Sequence, residues 1–345
     1  MATPAWAAAT AGSVTRRPAC TIGTSNEVAS AAERGTPAHT SLFGASRVPE
    51  PLHAITPSDQ ARSFAGDVRV RVLRAGWFRP DAGGFFGVVP RPLWSRFGLD
   101  TDERGRLLMR LNLLLVESAG KRVLVETGTG VRMTDKDRDT TGIEGGDPAE
   151  ALRAVGEDPA RIDFVVVSHL HYDHAGGLVD ADGRPNFPNA RYVVQRDEAE
   201  AAHGDELRLA GLMETEQLDL VRNAGQLAEV TGEVELVRGV SVIRTGGHTR
   251  GSQAVLLGAA DAGSRAGDPR ERAVFWGDLI PTRWQIPVRW TSAFDDYPID
   301  AVEVRSKLVR RAAEEGWWCY FTHDPGDLPV QIEQNEKGGF GVRSA

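Results

Sequence analysis

The sequence predicts an α+β sandwich in which two β-sheets pack together with helices on the outside. Two blocks of short β-type runs, the second starting near Val234, are each followed by helix-type periodicity, so the order reads strands, helix, strands, helix. Several of the runs also end in a histidine or aspartate set in a turn, one design repeated along the chain.

By length alone 345 residues allow about two domains, and a single large sandwich fits as well. The expected organisation is a disordered extension over residues 1–65, rich in Ala, Thr, Ser and Pro, followed by one folded domain over residues 66–345. Arg16 and Arg17 suggest a twin-arginine export signal, but Pro18, Ala19, Cys20 and Thr21 follow where an apolar stretch is needed, and the Ala5–Ala9 run precedes them. A linker or a misassigned start fits better, and the expected location is cytoplasmic. Cys20 and Cys319 are too few and too far apart for a disulfide framework. A net charge of -8 argues against a nucleic-acid partner, and no apolar run is long enough for a membrane span.

Order is expected from Val68, where Val68, Val70 and Val72 alternate with Arg69 and Arg71 as in a half-buried strand. From Gly76 to Phe97 the chain carries Trp77, Phe78, Phe85, Phe86, Trp94 and Phe97 among glycines and prolines. This reads as a loop whose rings either fill a core or cover a substrate. Leu107–Val116 and Arg122–Val125 form a hairpin about Ser118, Ala119 and Gly120. Asp147 and Pro148 cap and start a short helix running to Val155, and Ile162–Val167 is a buried strand. Arg191–Gln195 is a strand, Glu198–His203 starts a helix, and a helical insert spans Glu206–Asn223. Strands follow at Val234–Val237, Val240–Arg244, Ala254–Leu257 and Ala273–Trp276, and Tyr297–Glu315 has helical spacing.

The chemistry concentrates directly after the Ile162–Val167 run. His169, Leu170, His171, Tyr172, Asp173 and His174 write His-x-His-x-Asp-His, a pattern expected by chance in roughly one such chain per 3,000. A strand alternates its side chains between two faces, so these four groups meet only if the strand breaks into a loop and a helix start. Imidazole nitrogen with carboxylate oxygen suits zinc, and also iron or manganese. Three further strand ends supply candidates to complete the site: His248 in Gly246-Gly247-His248-Thr249, Asp278 after Val274–Gly277, and His323 after Trp318–Thr322. Each alone is weak evidence, because an aspartate after glycine is commonly a cap and a lone histidine commonly structural. Together they give two sets of three donors, His169, His171 and His248 in one and Asp173, His174 and His323 in the other, with Asp278 able to bridge. Two cations about 3.5–4 Å apart share a water, lower its pKa toward neutrality and present hydroxide to an electrophile. His39, His53 and His203 fall outside such contexts and are read as bystanders.

With those residues in place, the chain from about Val68 onward resembles the metallo-β-lactamase superfamily. The resemblance implies an αββα four-layer sandwich, a site at the strand ends along one edge, and the ligand order found here, with Gly176 and Gly177 after the motif. Asp278 stands where class B β-lactamases use cysteine or serine arrangements, so the likeness is to the glyoxalase II and lactonase side. Phe86-Gly87-Val88-Val89-Pro90, Asp278-Leu279-Ile280-Pro281-Thr282 and His323-Asp324-Pro325 are similar to the branch of quorum-quenching N-acyl-homoserine lactonases and methyl parathion hydrolases.

Four departures stand out. Glu126 replaces the aspartate that usually supports the site without ligating it, Ser252 replaces the second histidine of Gly-His-Thr-x-Gly-His, and Gln285 stands where many relatives have histidine. A carbonyl-polarising tyrosine, common in lactonases, is not assigned among Tyr172, Tyr192, Tyr297 and Tyr320.

The resemblance implies a hydrolase of an ester or lactone, dependent on two divalent ions, zinc first with manganese or iron as alternatives. Asp278 would bridge them, and Asp173 would pass a proton to the leaving alkoxide. The aromatic segment, with Trp284 and Trp290, suggests a small-molecule substrate with an apolar acyl or aryl group, and a homodimer is compatible with this branch. Phosphotriester hydrolysis and a glyoxalase II-like thioesterase are the alternatives.

Overall fold

Alternation along the strands decides the layering. On the strand at residues 109–118, Leu111, Leu113 and Leu115 join one apolar cluster while Leu114 and Val116 join another. Leu124 against Val123 and Val125, and Tyr192 and Val194 against Val193, repeat this split. A sheet buried on both faces needs a partner on each side, which is why its strands read as nearly continuous apolar runs. The first cluster lies under helices, and the second lies between two sheets and under the helix at residues 298–314, so the described residues form an α+β sandwich.

The structure, a computed structural model, describes residues 61–99, 101–206, 208, 211–258 and 272–343. The first sheet contains β1 (Arg62–Phe64), β2 (Val68–Phe78), β3 (Met109–Ser118), β4 (Lys121–Val125), β5 (Glu144–Gly145), β6 (Phe164–Val166), β7 (Arg191–Gln195) and β8 (Leu227–Val230). Its order is β1-β2-β3-β4-β6-β7-β8, with β5 beside β2. The second contains β9 (Glu233–Val237), β10 (Val240–Arg244), β11 (Gln253–Leu257), β12 (Ala273–Phe275), β13 (Trp318–Tyr320), β14 (Val330–Gln334) and β15 (Phe340–Val342), ordered from β15 back to β9. The helices are α1 (Ala82–Phe86), α2 (Arg91–Trp94), α3 (Asp135–Thr141), α4 (Pro148–Ala154), α5 (Tyr172–Ala175), α6 (Arg196–Ala201), α7 (Thr215–Asn223) and α8 (Pro298–Glu314). Leu152 of α4 and Leu218 and Val221 of α7 pack on the first cluster, and Ala301, Val309 and Ala312 of α8 on the second. Among the described residues no helix is long and apolar enough to cross a membrane.

Two parallel pairings matter most for function. β4 runs parallel to β6 with Val125 opposite Val166, and β12 runs parallel to β13 with Phe275 opposite Tyr320. Parallel strands end together, so the segments that follow them emerge side by side. The two sheets are also tied directly at this end. Asn112 on β3 donates from its backbone to Thr322 O at 2.9 Å and from its side chain to Phe321 O and Asp324 O at 3.1 and 2.8 Å. On the other side, Gln253 of β11 donates from its backbone to Ser168 O at 2.9 Å.

Most expected elements are present within a residue or two, including the hairpin, the Asp147-capped helix and the long α8. The differences have local causes. The expected extension over 1–65 lies outside the described residues for 1–60, as do Arg16, Arg17, Cys20, His39 and His53. Arg62–Phe64, however, pairs antiparallel with Val68–Val70 through a turn at Gly66 and Asp67, both at positive φ, so described order begins before Val68. The stretch Gly76–Phe97 is not one loop. β2 continues to Phe78, Asp81 caps α1 by accepting from Gly84 N, and α2 follows, so the glycines and prolines punctuate two short helices. The helical insert expected from Glu206 is a helix only from Thr215.

Asn112→Ala would strip two buried carbonyls of their donor. A loss of about 2 kcal/mol or more is expected, read as a lower urea midpoint with an unchanged slope.

Candidate metal centre

β6 ends at Val166 and the chain leaves strand geometry over Ser168–His171, with His171 as N-cap of the single turn α5. That switch from alternating to helical projection turns His169, His171, Asp173 and His174 toward one point. His248 arrives from the β10–β11 turn, Asp278 from the end of β12 and His323 from the end of β13. All seven residues singled out from the sequence therefore meet.

They meet as two groups of three. His171 Nδ1 lies 2.9 Å from His169 Nε2 and 3.1 Å from His248 Nε2. His323 Nε2 lies 3.2 Å from His174 Nε2 and 3.4 Å from Asp173 Oδ2. Asp278 stands between the groups: Oδ1 is 3.2 Å from His323 Nε2 and 3.4 Å from His174 Nε2, and Oδ2 is 3.7 Å from His248 Nε2. Ligands on a tetrahedral zinc with bonds near 2.0–2.1 Å are separated by about 3.3 Å, the spacing seen within each group.

The outward nitrogens explain why the inward ones carry lone pairs. His248 Nδ1 donates to Asp295 Oδ1 at 2.9 Å, and His323 Nδ1 to the Arg110 carbonyl at 3.0 Å. His174 Nδ1 faces Glu126 Oε1 at 3.3 Å and His169 Nδ1 faces Ser168 Oγ at 2.9 Å. With the proton held outside, Nε2 of these four rings can present a lone pair to a cation at the centre, whereas His171 turns Nδ1 inward. Such nitrogens cannot satisfy one another, and Asp278 Oδ1 is buried without a hydrogen-bond donor. A donor set of five imidazoles and two carboxylates, five of them buried and His171 and Asp278 half-buried toward the centre, fits divalent cations.

Glu126 matches its expected supporting place. It sits at the end of β4 with φ 69°, a left-handed conformation, and both its oxygens accept from Ser168 N at 3.3 Å. Gly176 and Gly177 are required by close approach: a Cβ would lie 2.4 Å from Thr129 O at the first and 2.3 Å from Thr127 O at the second. Ser252 closes the His248 loop by donating to Gly246 O at 2.9 Å, and Gln285 bridges Thr282 Oγ1 and the Phe85 carbonyl. Both occupy structural positions. Sequence reasoning missed Asp295 and Glu198. Glu198 accepts from Leu170 N, Thr249 Oγ1 and Gly251 N. Neither stands in a motif, and a single acidic residue in a loop or helix gives no signal.

A cavity of about 530 Å³ opens over the group and is lined by His171, Asp173, His248, Asp278 and His323. Phe78, Phe85, Leu212 and Phe294 make its apolar wall. The aromatic segment thus divides. Phe78 and Phe85 face the cavity, while Phe86 stacks on Trp94 at 5.0 Å in the core. Trp284 and Trp290 do not line the cavity; they pack against Phe97, with ring centroids at 6.3 and 5.6 Å. Of the four tyrosines, Tyr172 alone lines it. Tyr192 bonds Leu178 O and Phe187 N, Tyr320 is core, and Tyr297 faces Glu206.

The protein groups alone set an uneven charge. Burial, then His174, His171 and His248, hold His169 well below the usual histidine range, and burial with His248 and His174 does the same to His171. Burial also opposes charge on His174, but Asp278, Asp173 and Glu126 outweigh it and hold the ring well above that range. For His248 the bond to Asp295 and the charges of Asp278 and Asp295 overcome burial. Burial and the neighbouring Asp173 and Asp278 push the Tyr172 hydroxyl well above its ordinary value.

Comparison with known proteins agrees with this geometry. Residues 111–323 match the family model of the metallo-beta-lactamase superfamily. An N-acyl homoserine lactonase of a Bacillus species is 30% identical over 179 residues, covering 50% of this chain and 60% of that protein. The chain therefore spans about three fifths of that relative's length. The lactonase AttM of Agrobacterium fabrum is 49% identical over 53 residues, 15% of this chain and 18% of its own. Among solved structures, a probable metal-dependent hydrolase from Staphylococcus aureus superposes with TM-score 0.72 at 25% identity, covering 82% of this chain and 99% of that one. The dizinc quorum-quenching lactonase AidC superposes with TM-score 0.67 at 18% identity, covering 83% and 97%, which speaks to the fold alone.

In the cation-free chain, an NMR titration of the imidazoles is expected to separate two classes. His169 and His171 should remain neutral below pH 6.5, whereas His174 and His248 should keep a proton above it. Glu126→Gln should lower the His174 midpoint.

Proposed function

Since this chain belongs to the metallo-beta-lactamase superfamily, we propose that it is a dinuclear metal-dependent hydrolase of esters or lactones, with an N-acyl-homoserine-lactone-like substrate. One observation carries the reading: the carboxylate of Asp278 stands between two triads of donors, His169, His171, His248 and Asp173, His174, His323, on the floor of a cavity with an apolar wall. Two divalent cations there, zinc in this reading, would supply Lewis acidity and a water of lowered pKa.

The chain's own groups divide the remaining work. Phe78, Phe85, Leu212 and Phe294 would take the acyl chain and keep water from the reacting bond. Tyr172, held protonated, would donate a hydrogen bond to the carbonyl oxygen as negative charge develops there. Asp173 faces His323 through Oδ2, which leaves Oδ1 to take the proton released by the attacking water and hand it to the leaving alkoxide. In a lactone that alkoxide stays tethered to the acyl product and so remains within reach of Asp173.

A panel of acyl lactones, thioesters, aryl esters and aryl phosphotriesters tests this on zinc-, manganese- and iron-loaded protein. The highest kcat/KM is expected on an acyl lactone, with Asp278→Ala lowering it at least about 100-fold. A phosphotriester turned over faster than any lactone would overturn the substrate assignment. Full activity in Asp278→Ala would overturn the bridging carboxylate. Tyr172→Phe is expected to reduce kcat more than it changes KM.

A further inference from the structure

We propose that Glu198 is the positioning residue of the first triad: its carboxylate fixes the His169–His171 turn against the His248 loop and so sets the affinity of the cation these three histidines share. The proposal rests on the metal-dependent reading above. Glu198 is 1% exposed, lies in the first turn of α6, and neither lines the cavity nor belongs to a donor triad.

Its bonds join two segments that the fold brings from different sheets. Oε1 accepts from Leu170 N at 3.0 Å, the one amide between His169 and His171. Oε2 accepts from Thr249 Oγ1 at 2.8 Å and from Gly251 N at 2.8 Å, both in the turn that carries His248. The turn approaches α6 at backbone distance, since a Cβ on Gly251 would stand 2.2 Å from Glu198 N and 2.6 Å from its Cα. Thr249 and Gly251 of the His-Thr-x-Gly sequence, which no step of the reaction uses, are thereby explained as the receptor for this side chain.

The chemistry of the clamp is specific to a carboxylate. Three donors converge on two acceptor oxygens, and an amide offers one oxygen and would turn its own N–H groups toward Thr249 and Gly251. The effect is also confined to one side. His174 is held by Glu126, and His323 by the Arg110 carbonyl and by Asn112 on the backbone beside it, and none of these groups bonds Glu198. A general contribution to folding would weaken both cation sites alike, whereas a positioning role weakens one.

The test is a cobalt(II) titration of the full chain stripped of metal, followed by its visible absorption bands and by competition with a chelator. Glu198→Gln is expected to weaken one of two equivalents about 10- to 100-fold and to leave the other within about threefold. The weakened equivalent should be the one that His248→Ala removes and His323→Ala keeps, with half-loaded Glu198→Gln and half-loaded His248→Ala giving the same spectrum. Thr249→Val should lose about tenfold at that same equivalent, and Thr249→Ser should restore it; this pair carries the prediction should Glu198→Gln not fold. Equal losses at both equivalents, or no loss at either, would overturn the role of Glu198. Fewer than two equivalents in the wild-type chain would overturn the dinuclear reading, and this proposal with it.

Discussion

Burying five imidazoles and two carboxylates around one point is the constraint on which the rest of this structure depends. Their inward atoms are acceptors 2.9 to 3.7 Å apart, and acceptors do not bind one another. Without a cation the protein groups alone divide the rings, holding His174 and His248 above the usual histidine range and His169 and His171 well below it. Bringing these groups together costs desolvation of each, and the surrounding hydrogen bonds must over-determine their positions to offset it. The ties between the sheets at Asn112 and Gln253 serve that end, since the donors come from both sheets.

The position of the cluster follows from chain direction. A parallel pair places both carboxyl ends on the same side, and the two parallel pairs that matter, β4 with β6 and β12 with β13, end beside each other. Glu126, the His169 motif, Asp278 and His323 are each the next residues after such a strand. Antiparallel strands would have sent half of them to the opposite edge. His248 is the exception, coming from the turn between β10 and β11, and it needs its own anchors, Asp295 and the Glu198 clamp.

This explains what the sequence made legible. A strand end carrying histidine or aspartate is a local pattern, so all seven residues that converge could be named from it, and the strands showed as short apolar runs, alternating only at Val68–Val72. Glu198, Asp295 and Asn112 bind groups that are distant in sequence, and nothing in their neighbours marks them. The Arg110 carbonyl that orients His323 is backbone and has no residue signature at all. Rings in the Gly76–Phe97 stretch could be counted, but whether each faces core or cavity depends on the short helices that Asp81 and Pro90 start. The two C-terminal strands β14 and β15 are half-exposed and mixed in composition, which leaves their alternation too weak to read.

The departures from the family pattern follow the same division between donors and their surroundings. Glu126 is longer by one methylene than the usual aspartate, and its left-handed backbone lets the carboxylate still meet Ser168 N and His174 Nδ1. Ser252 and Gln285 bond backbone carbonyls where relatives carry histidine, so the losses fall outside the donor set. The cavity wall likewise comes from the end of β2, from α1 and from the segments around Leu212 and Phe294, none of which supplies a donor. The segment around Phe294 also carries Asp295, which holds His248 Nδ1 at 2.9 Å, so a change there reaches the donors, whereas α1 carries no such anchor. Hydrophobic walls discriminate weakly, by about 1–3 kcal/mol per methylene, so under the proposed function any selectivity would turn on where Phe85 and Phe294 stand and on what Tyr172 meets. The Ala293 N to Gly84 O bond at 2.9 Å joins those two phenylalanine-bearing segments into one wall, so a change in either moves both.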